Sequence, residues 1–368
     1  MRYILTGGGS GGHIYPLISF AKVVKTLDPD ATFLFVGKKD KMESKIVPRA
    51  GLPFKAISTT GTKGKISFQN AKAAIMVSAG FLQAKKIIKD FQPDICIGAG
   101  GYVSVPLMLA ANNTKSVITA VLETDQFMGR ANLQLARKSD FVFAGTFDLR
   151  ERYFKNSDNY HHVGHPRGEE LFQQFHTEIA TKKRTTSVKT VTFIGGSLGA
   201  QTINEQAIAF CKYLATLKDY EQIQVVLVAG TRYYEQFKHY NEQYQNLHIM
   251  AYCEDMLKLY LETDILVCRS GAGVLAEAAT FMLPTIAIPS PNVMNDHQTK
   301  NADYFVKSDA LLKLSEKEIA DNNDACVQLI LKLINDSDKR NKLIKQIEVL
   351  AYTNAVSNMY NILLKAKN

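Results

Sequence analysis

Short apolar runs punctuate the chain, separated by longer stretches whose apolar side chains fall on one helical face. In the first half the runs are Arg2–Thr6, Thr32–Val36, Ile95–Ile97, Val117–Val121 and Phe141–Ala144. Between the first two, Leu17, Ile18, Ala21, Val24 and Leu27 share one side of a helix. This strand–helix alternation predicts an α/β fold, a parallel sheet with helices on both faces. The pattern restarts after residue 188 with Val191–Ile194, Val225–Val228, His248–Ala251, Ile265–Val267 and Thr285–Ile288. His161 to Arg167 and the polar stretch to Lys189 read as the linker region. The expected division is residues 1–160 and 161–344, with a last helical pattern (about 345–368) returning to the first domain.

Both halves open alike, with a strand, a glycine loop and a helix: ILTGGGSGGH, then TFIGGSLGAQ. That predicts two Rossmann-like domains facing each other across a cleft, with ligands beyond the carboxyl ends of the strands. Gly7, Gly9 and Gly12 fit GxGxxG, which serves a dinucleotide or simply a tight strand-to-helix turn. After Val36 come Gly37, Lys38 and Lys39, and Asp40 arrives late for a ribose contact. That counts against NAD more than against NADP. His13 follows the last glycine, and a neutral imidazole there is a candidate general base for a hydroxyl. An ordinary helix-start histidine is the bland alternative.

In the second half, Gly195, Gly196, Ser197 and Gly199 offer backbone N–H groups and a hydroxyl at a helix start, a seat suited to a diphosphate. Arg269 and Ala272 stand in the next glycine loop, and Glu277, one turn past Gly273, can reach a ligand there and accept ribose hydroxyls. Gln298 and Asn301, three apart at a later helix start, carry amides that suit sugar hydroxyls. Taken singly, each also fits a cap or a surface polar group. Their succession at strand ends is harder to explain by packing.

The 368 residues are 46% hydrophobic, enough for two cores. A net charge of +9 favours an anionic partner: nucleic acid, an acidic membrane or a phosphorylated substrate. The five cysteines, Cys96, Cys211, Cys253, Cys268 and Cys326, form no CxxC pair and read as reduced core thiols of a cytosolic protein. Met1 to Thr6 leads straight into a glycine loop, so no signal peptide is expected. No stretch reaches the roughly 18 apolar residues of a membrane span.

GGGSGGHIYP, GAGGYVSVP, GGSLGAQTIN, CRSGAGVLAEAA and NDHQTKNA, in this order, resemble the signatures of the MurG family over nearly the whole chain. The resemblance implies a GT-B fold and an inverting transfer of N-acetylglucosamine from UDP-N-acetylglucosamine to lipid I, forming lipid II. By position it implies that Ser197 and the Gly195–Gly199 loop hold the diphosphate, with Arg269 and Ala272 in the donor loop. Glu277 would take the ribose, the backbone around Cys253 the uracil edge, and Gln298 with Asn301 the sugar. His13 becomes a base or a phosphate contact. Gly11, Gly12, Tyr102, Glu123, Asp125 and Arg167 fall on the acceptor side.

The departures lie on that side too. The family's His-Glu-Gln-Asn is here Leu122-Glu123-Thr124-Asp125, and its Gly-Asn-Pro-x-Arg is Gly164-His165-Pro166-Arg167. A relative acting on another glycolipid, such as a diacylglycerol glycosyltransferase, is the alternative implied. An uncharged run, Ala73 to Leu82, carries Ile75, Met76, Phe81 and Leu82 between Lys72 and the trio Lys85, Lys86 and Lys89. These residues suit docking on anionic lipid, although one helical face must be core. The family segment matching this run faces the membrane. The expected protein is peripheral on the cytoplasmic face of the plasma membrane, meets an undecaprenyl-pyrophosphoryl-linked acceptor and binds no nucleic acid. No DxD-like pair accompanies the donor motifs, with Glu254–Asp255 the nearest, so no metal or other cofactor is expected.

Overall fold

The structure is a computed structural model that describes residues 1–61, 68–181, 189–196, 198–217, 222–293 and 296–368. Met1–Glu170 with Tyr352–Asn368 form one unit, and Leu171–Ala351 the other. The strands of the first are β1 (Arg2–Thr6), β2 (Thr32–Gly37), β3 (Phe54–Ala56), β4 (Ile95–Gly98), β5 (Ile118–Glu123), β6 (Phe141–Ala144) and β7 (Tyr160–His162). They form a parallel sheet in the order β3-β2-β1-β4-β5-β6-β7. The second unit holds β8 (Thr190–Ile194), β9 (Gln224–Val228), β10 (Leu247–Met250), β11 (Ile265–Cys268), β12 (Thr285–Ala287) and β13 (Leu312–Lys313). These are also parallel, ordered β10-β9-β8-β11-β12-β13.

The continuous apolar runs have a simple cause. Tyr3, Ile4 and Leu5 of β1 and Ile95, Cys96 and Ile97 of β4 are all fully buried. Central parallel strands lose both faces to helices, so their sequence does not alternate. Tyr3 stacks on Phe33 at 5.0 Å between ring centres and meets Phe20 edge-on at 5.6 Å. From the Gly11–Leu27 helix, Leu17, Ile18, Ala21 and Val24 enter this core as the periodicity predicts. Leu27, at the helix's last position, is exposed. All five cysteines are buried and unpaired, and burial pushes the Cys211, Cys268 and Cys326 thiols up to about 12.

In each sheet the strand order reverses beside the first strand, so β1 neighbours β4, and β8 neighbours β11. Connections from such a pair leave toward opposite faces and open a crevice at the carboxyl ends. Thr6 pairs with Gly98, and Ile194 with Cys268, so each glycine loop leaves its sheet beside a second loop.

The chain divides later than the sequence suggests. His161 to Arg167 is not a free linker, because Tyr160–His162 is the strand β7, paired with β6. Glu170 accepts hydrogen bonds from Ser19 (2.6 Å), Lys22 (2.8 Å) and Arg167 (2.7 Å), which ties residues through 170 to the first unit. The final helical pattern is two helices. Ser337–Glu348 belongs to the second unit, and Ala355–Lys367 adds Val356, Met359 and Leu363 to the first core. Two features seat this last helix. A Cβ on Gly164 (φ +97) would lie 2.1 Å from Tyr352 Cβ, so only glycine admits that ring. Glu169 then caps the helix start, accepting from Val356 N at 2.5 Å, Ser357 N at 2.9 Å and the Ser357 hydroxyl.

Candidate active site

In the first unit the loops after β1 and β4 touch through their backbones. A Cβ on Gly101 would lie 2.4 Å from the Gly8 carbonyl oxygen, and Gly100 and Gly101 have φ of +103 and +76. Both the conformation and the approach require glycine. His13 sits half-buried in this junction, at the start of the Gly11–Leu27 helix. Its Nδ1 is 2.9 Å from the Gly8 carbonyl oxygen and 3.2 Å from Ser10 Oγ. A carbonyl can only accept, so Nδ1 carries the proton and Nε2 the lone pair. A Cβ on Gly100 would stand 3.1 Å from Nε2. Any side chain there would crowd the lone pair that a general base needs.

Glu43 escaped the sequence reading. Fully buried at the start of the Glu43–Arg49 helix, it accepts from Gly9 N at 3.3 Å and Lys38 N at 3.2 Å. Asp40, the acid first in line, is exposed. The useful signal was an acid opening a short helix just after a strand that ends in glycine. Its carboxylate occupies an N–H that a dinucleotide pyrophosphate would need, which argues against the NADP reading.

Other residues expected on the acceptor side make contacts within their own unit. Glu123 is almost fully buried and accepts from Thr124 N, Asp125 N and Gly129 N (3.1 Å each) and from Asn132 Nδ2 (3.0 Å). Burial, and next Asp125, push its carboxyl up to about 7 against the opposing pull of those donors. Those bonds shape the loop after β5. Leu122, in the place of the family's histidine, is core, and Asp125 is half-buried on the loop. Arg167 is ion-paired with Glu170 at 2.7 Å and braces its own helix. Beside it, burial drives the His165 imidazole down to about 3. Gly12 is exposed and Gly11 half-buried at the helix start. Tyr102 is half-buried, its ring against Gly61 and 5.9 Å from Lys38 Nζ.

In the second unit the Gly195–Gly199 loop presses on the turn after β9. A Cβ on Gly199 (φ +79) would lie 2.0 Å from the Ala229 carbonyl oxygen, which also accepts from buried Asn204 at 3.1 Å. The helices after β8 and β11, Gln201–Leu214 and Ala272–Thr280, start behind Ala200 and Gly271, which have no side chain able to cap them. Among the described residues no N-cap side chain takes their first N–H groups, and such helix starts suit an anion. The residues expected here divide. Glu277 is half-buried and oriented by the Tyr260 hydroxyl at 2.7 Å. Ala272 opens its helix, and Cys253 lies buried between β10 and the Met256–Glu262 helix. Gln298 spends its amide oxygen on Ser290 N (2.9 Å), so Nε2 is what it can offer a hydroxyl. Ser197 lies outside the described residues.

Two residues expected at the donor loop also brace it. Asn301 is fully buried and donates to the Ser270 carbonyl at 3.2 Å, which holds the loop. The Arg269 guanidinium is occupied by the Ile288 and Pro289 carbonyls (3.0 and 3.1 Å) and by Glu316 (2.5 Å), which also accepts from Thr202. It fastens the ends of β11 and β12 together. Asp255, half of the nearest acidic pair, is spent capping its helix through Lys258 N.

Residues 3–144 match the model of the glycosyltransferase family 28 N-terminal domain, and residues 190–358 that of the family 28 C-terminal domain. The chain belongs to glycosyltransferase family 28, as a member of the MurG family. A relative from Lactococcus lactis subsp. cremoris is 35% identical over the full length of both chains. One from Cytophaga hutchinsonii is 36% identical over 98% of this chain and 95% of its own. Both are named UDP-N-acetylglucosamine–N-acetylmuramyl-(pentapeptide) pyrophosphoryl-undecaprenol N-acetylglucosamine transferase. The fold matches the crystal structure of Acinetobacter baumannii MurG with a TM-score of 0.75, at 21% identity over 99% of each chain. It also matches UDP-GlcNAc 2-epimerase from Neisseria meningitidis, solved with UDP-GlcNAc bound, at 0.68 and 14% identity over 99% of this chain and 100% of that one. The family 28 fold is therefore GT-B, built here from two parallel-sheet units.

The helix Phe68–Phe91 of the first unit carries the lysine-flanked apolar run. Its inner face holds Ala84, Ile87 and Ile88, and a Cβ on Gly80 would lie 2.1 Å from the Ser58 carbonyl oxygen. On the outer side Ile75 is 70% and Leu82 66% exposed, in line with Lys85 and Lys89. Lys86 is exposed beside them, while Met76 and Phe81 are half-buried, with Lys85 Nζ 4.9 Å from the Phe81 ring centre. The Lys72 side chain lies outside the described ones. Among the described residues no helix is long and apolar enough to cross a membrane.

Proposed function

We propose that this chain transfers N-acetylglucosamine from UDP-N-acetylglucosamine to lipid I, with inversion, forming lipid II for peptidoglycan. The observation that carries the reading is the pair of uncapped helix starts where β8 meets β11. They suit a diphosphate, in a chain that aligns end to end with relatives named for this transfer. The acceptor hydroxyl oxygen attacks the anomeric carbon as its proton passes to His13 Nε2. The bond from that carbon to the diphosphate oxygen breaks, and UDP leaves with the electron pair. Backbone N–H groups and the helix dipoles stabilise the leaving charge, and no metal ion is required. Glu277, held by Tyr260, takes the ribose, the backbone at Cys253 the uracil, and Gln298 Nε2 a sugar hydroxyl.

The test is UDP release from UDP-N-acetylglucosamine with a lipid I analogue, beside UDP-glucose with diacylglycerol. Turnover is expected with the first pair alone, unchanged by a chelator. Turnover with the second pair alone points to a glycerolipid enzyme, and loss of activity to chelation with rescue by Mg²⁺ or Mn²⁺ removes the metal-free mechanism.

We further propose that the chain works as a peripheral protein on the cytoplasmic face of the plasma membrane, docking through Ile75 and Leu82 with Lys85, Lys86 and Lys89 against anionic headgroups. Burying one such aliphatic side chain is worth about 1.5–3 kcal/mol. Replacing Ile75 and Leu82 together by glutamate is expected to weaken binding to phosphatidylglycerol vesicles at least about 100-fold. Turnover of a water-soluble acceptor should persist. Unchanged vesicle binding removes this face from consideration.

A further inference from the structure

We propose that Glu43 is a positioning residue for His13, acting through the single peptide unit that joins Gly8 to Gly9. That peptide is trans, as are all those described, so its C=O and N–H point to opposite sides. On one side Gly9 N–H donates to Glu43 Oε2 at 3.3 Å. On the other the Gly8 oxygen accepts from His13 Nδ1 at 2.9 Å. One peptide thus has a carboxylate at one end and the imidazole at the other.

Two consequences follow. Within a run of glycines the peptide plane is free to turn, and the carboxylate holds it with the carbonyl facing His13. The negative charge also polarises the N–H, which makes the Gly8 oxygen a stronger acceptor when the ring becomes imidazolium. The arrangement does through a peptide what a buried aspartate does directly for the histidine of a hydrolase triad. Glu43 is built in for this place. It is fully buried, and among the described residues no basic side chain pairs with it. Its second oxygen takes Lys38 N–H. A Cβ on Gly8 or Gly37 would come within 2.6 Å of its side chain, so glycine at both positions makes its room.

The inference rests on His13 being the base of the proposed transfer. Glu43→Gln keeps the shape and removes the charge. Expected are a kcat lowered about 10- to 100-fold, the range found for hydrogen-bond partners behind a metal-bound imidazole, and a little-changed KM for UDP-N-acetylglucosamine. In a His13→Ala background the same exchange should cost nothing more, since its effect runs through the missing ring. Nitrogen-15 spectra of the wild-type protein should show His13 protonated at Nδ1. Wild-type turnover in Glu43→Gln, an equal loss with and without His13, or a wild-type ring protonated at Nε2 each overturns the proposal. The wild-type spectrum decides even if the variant fails to fold. Absence of lipid I turnover by the wild type sinks the functional reading alone, because the tautomer is read without substrate.

Discussion

Exchanging His13 for alanine lowers kcat about 10²–10⁴-fold, the range a positioned general base supplies, and leaves the affinity for UDP nearly unchanged. The expectation follows from the proton on Nδ1. With the Gly8 carbonyl 2.9 Å from Nδ1, the neutral ring presents Nε2 as a lone pair, and glycine at position 100 puts no side chain of its own over that nitrogen. A base makes its contribution mainly as the proton moves, so the loss should fall on kcat. Steady-state kinetics with varied donor, beside UDP binding by calorimetry, separates the possibilities. If UDP affinity falls as far as kcat, His13 is a phosphate contact and the catalytic assignment is wrong.

Gly101→Ala should be nearly as damaging, for a mechanical reason. A left-handed backbone costs an alanine roughly 1–2 kcal/mol, and forcing a methyl into packed atoms another 1–3 kcal/mol. At Gly101 both apply, since φ is +76 and the new carbon would lie 2.4 Å from the Gly8 oxygen. Gly9 is the natural control: φ is +82, but nothing stands within 4 Å, so Gly9→Ala should carry the backbone cost alone. Thermal unfolding of the two variants should place Gly101→Ala lower, at about 2–4 °C per kcal/mol for a unit of this size. Its kcat should also drop, because the displaced atom is the acceptor that sets the His13 tautomer. Equal melting and equal activity in the two variants would show that the loops do not press on each other as described.

Much of the α/β organisation could be read from the pattern of apolar runs. Ten of the strands match those runs to within a residue or two, and nine of these are interior parallel strands, which advertise themselves as unbroken hydrophobic stretches. β3, β7 and β13 were not legible. They are edge strands of two or three residues, and β7 begins with a tyrosine followed by two histidines. The glycine loops, His13 and Glu277 were legible because helix starts and turns have a local chemistry. Glu43 was not, since its partners lie at Gly9 and across a loop at Lys38.

Side-chain identity could not reveal which polar residues are spent on the fold. Arg269, Asn301, Arg167 and Glu123 look like ligands in a motif, yet each satisfies carbonyls, N–H groups or a carboxylate of its own unit. Composition, periodicity and motif order were enough for two parallel-sheet units, for family membership and for the identity of the candidate base. Those properties are local along the chain. Which nitrogen of His13 bears the proton, which carboxylate stands behind it, and which motif residues are braces depend on groups distant in sequence that meet only when the sheet forms. A buried polar atom must find a partner where packing puts it, and only the tertiary structure says where that is.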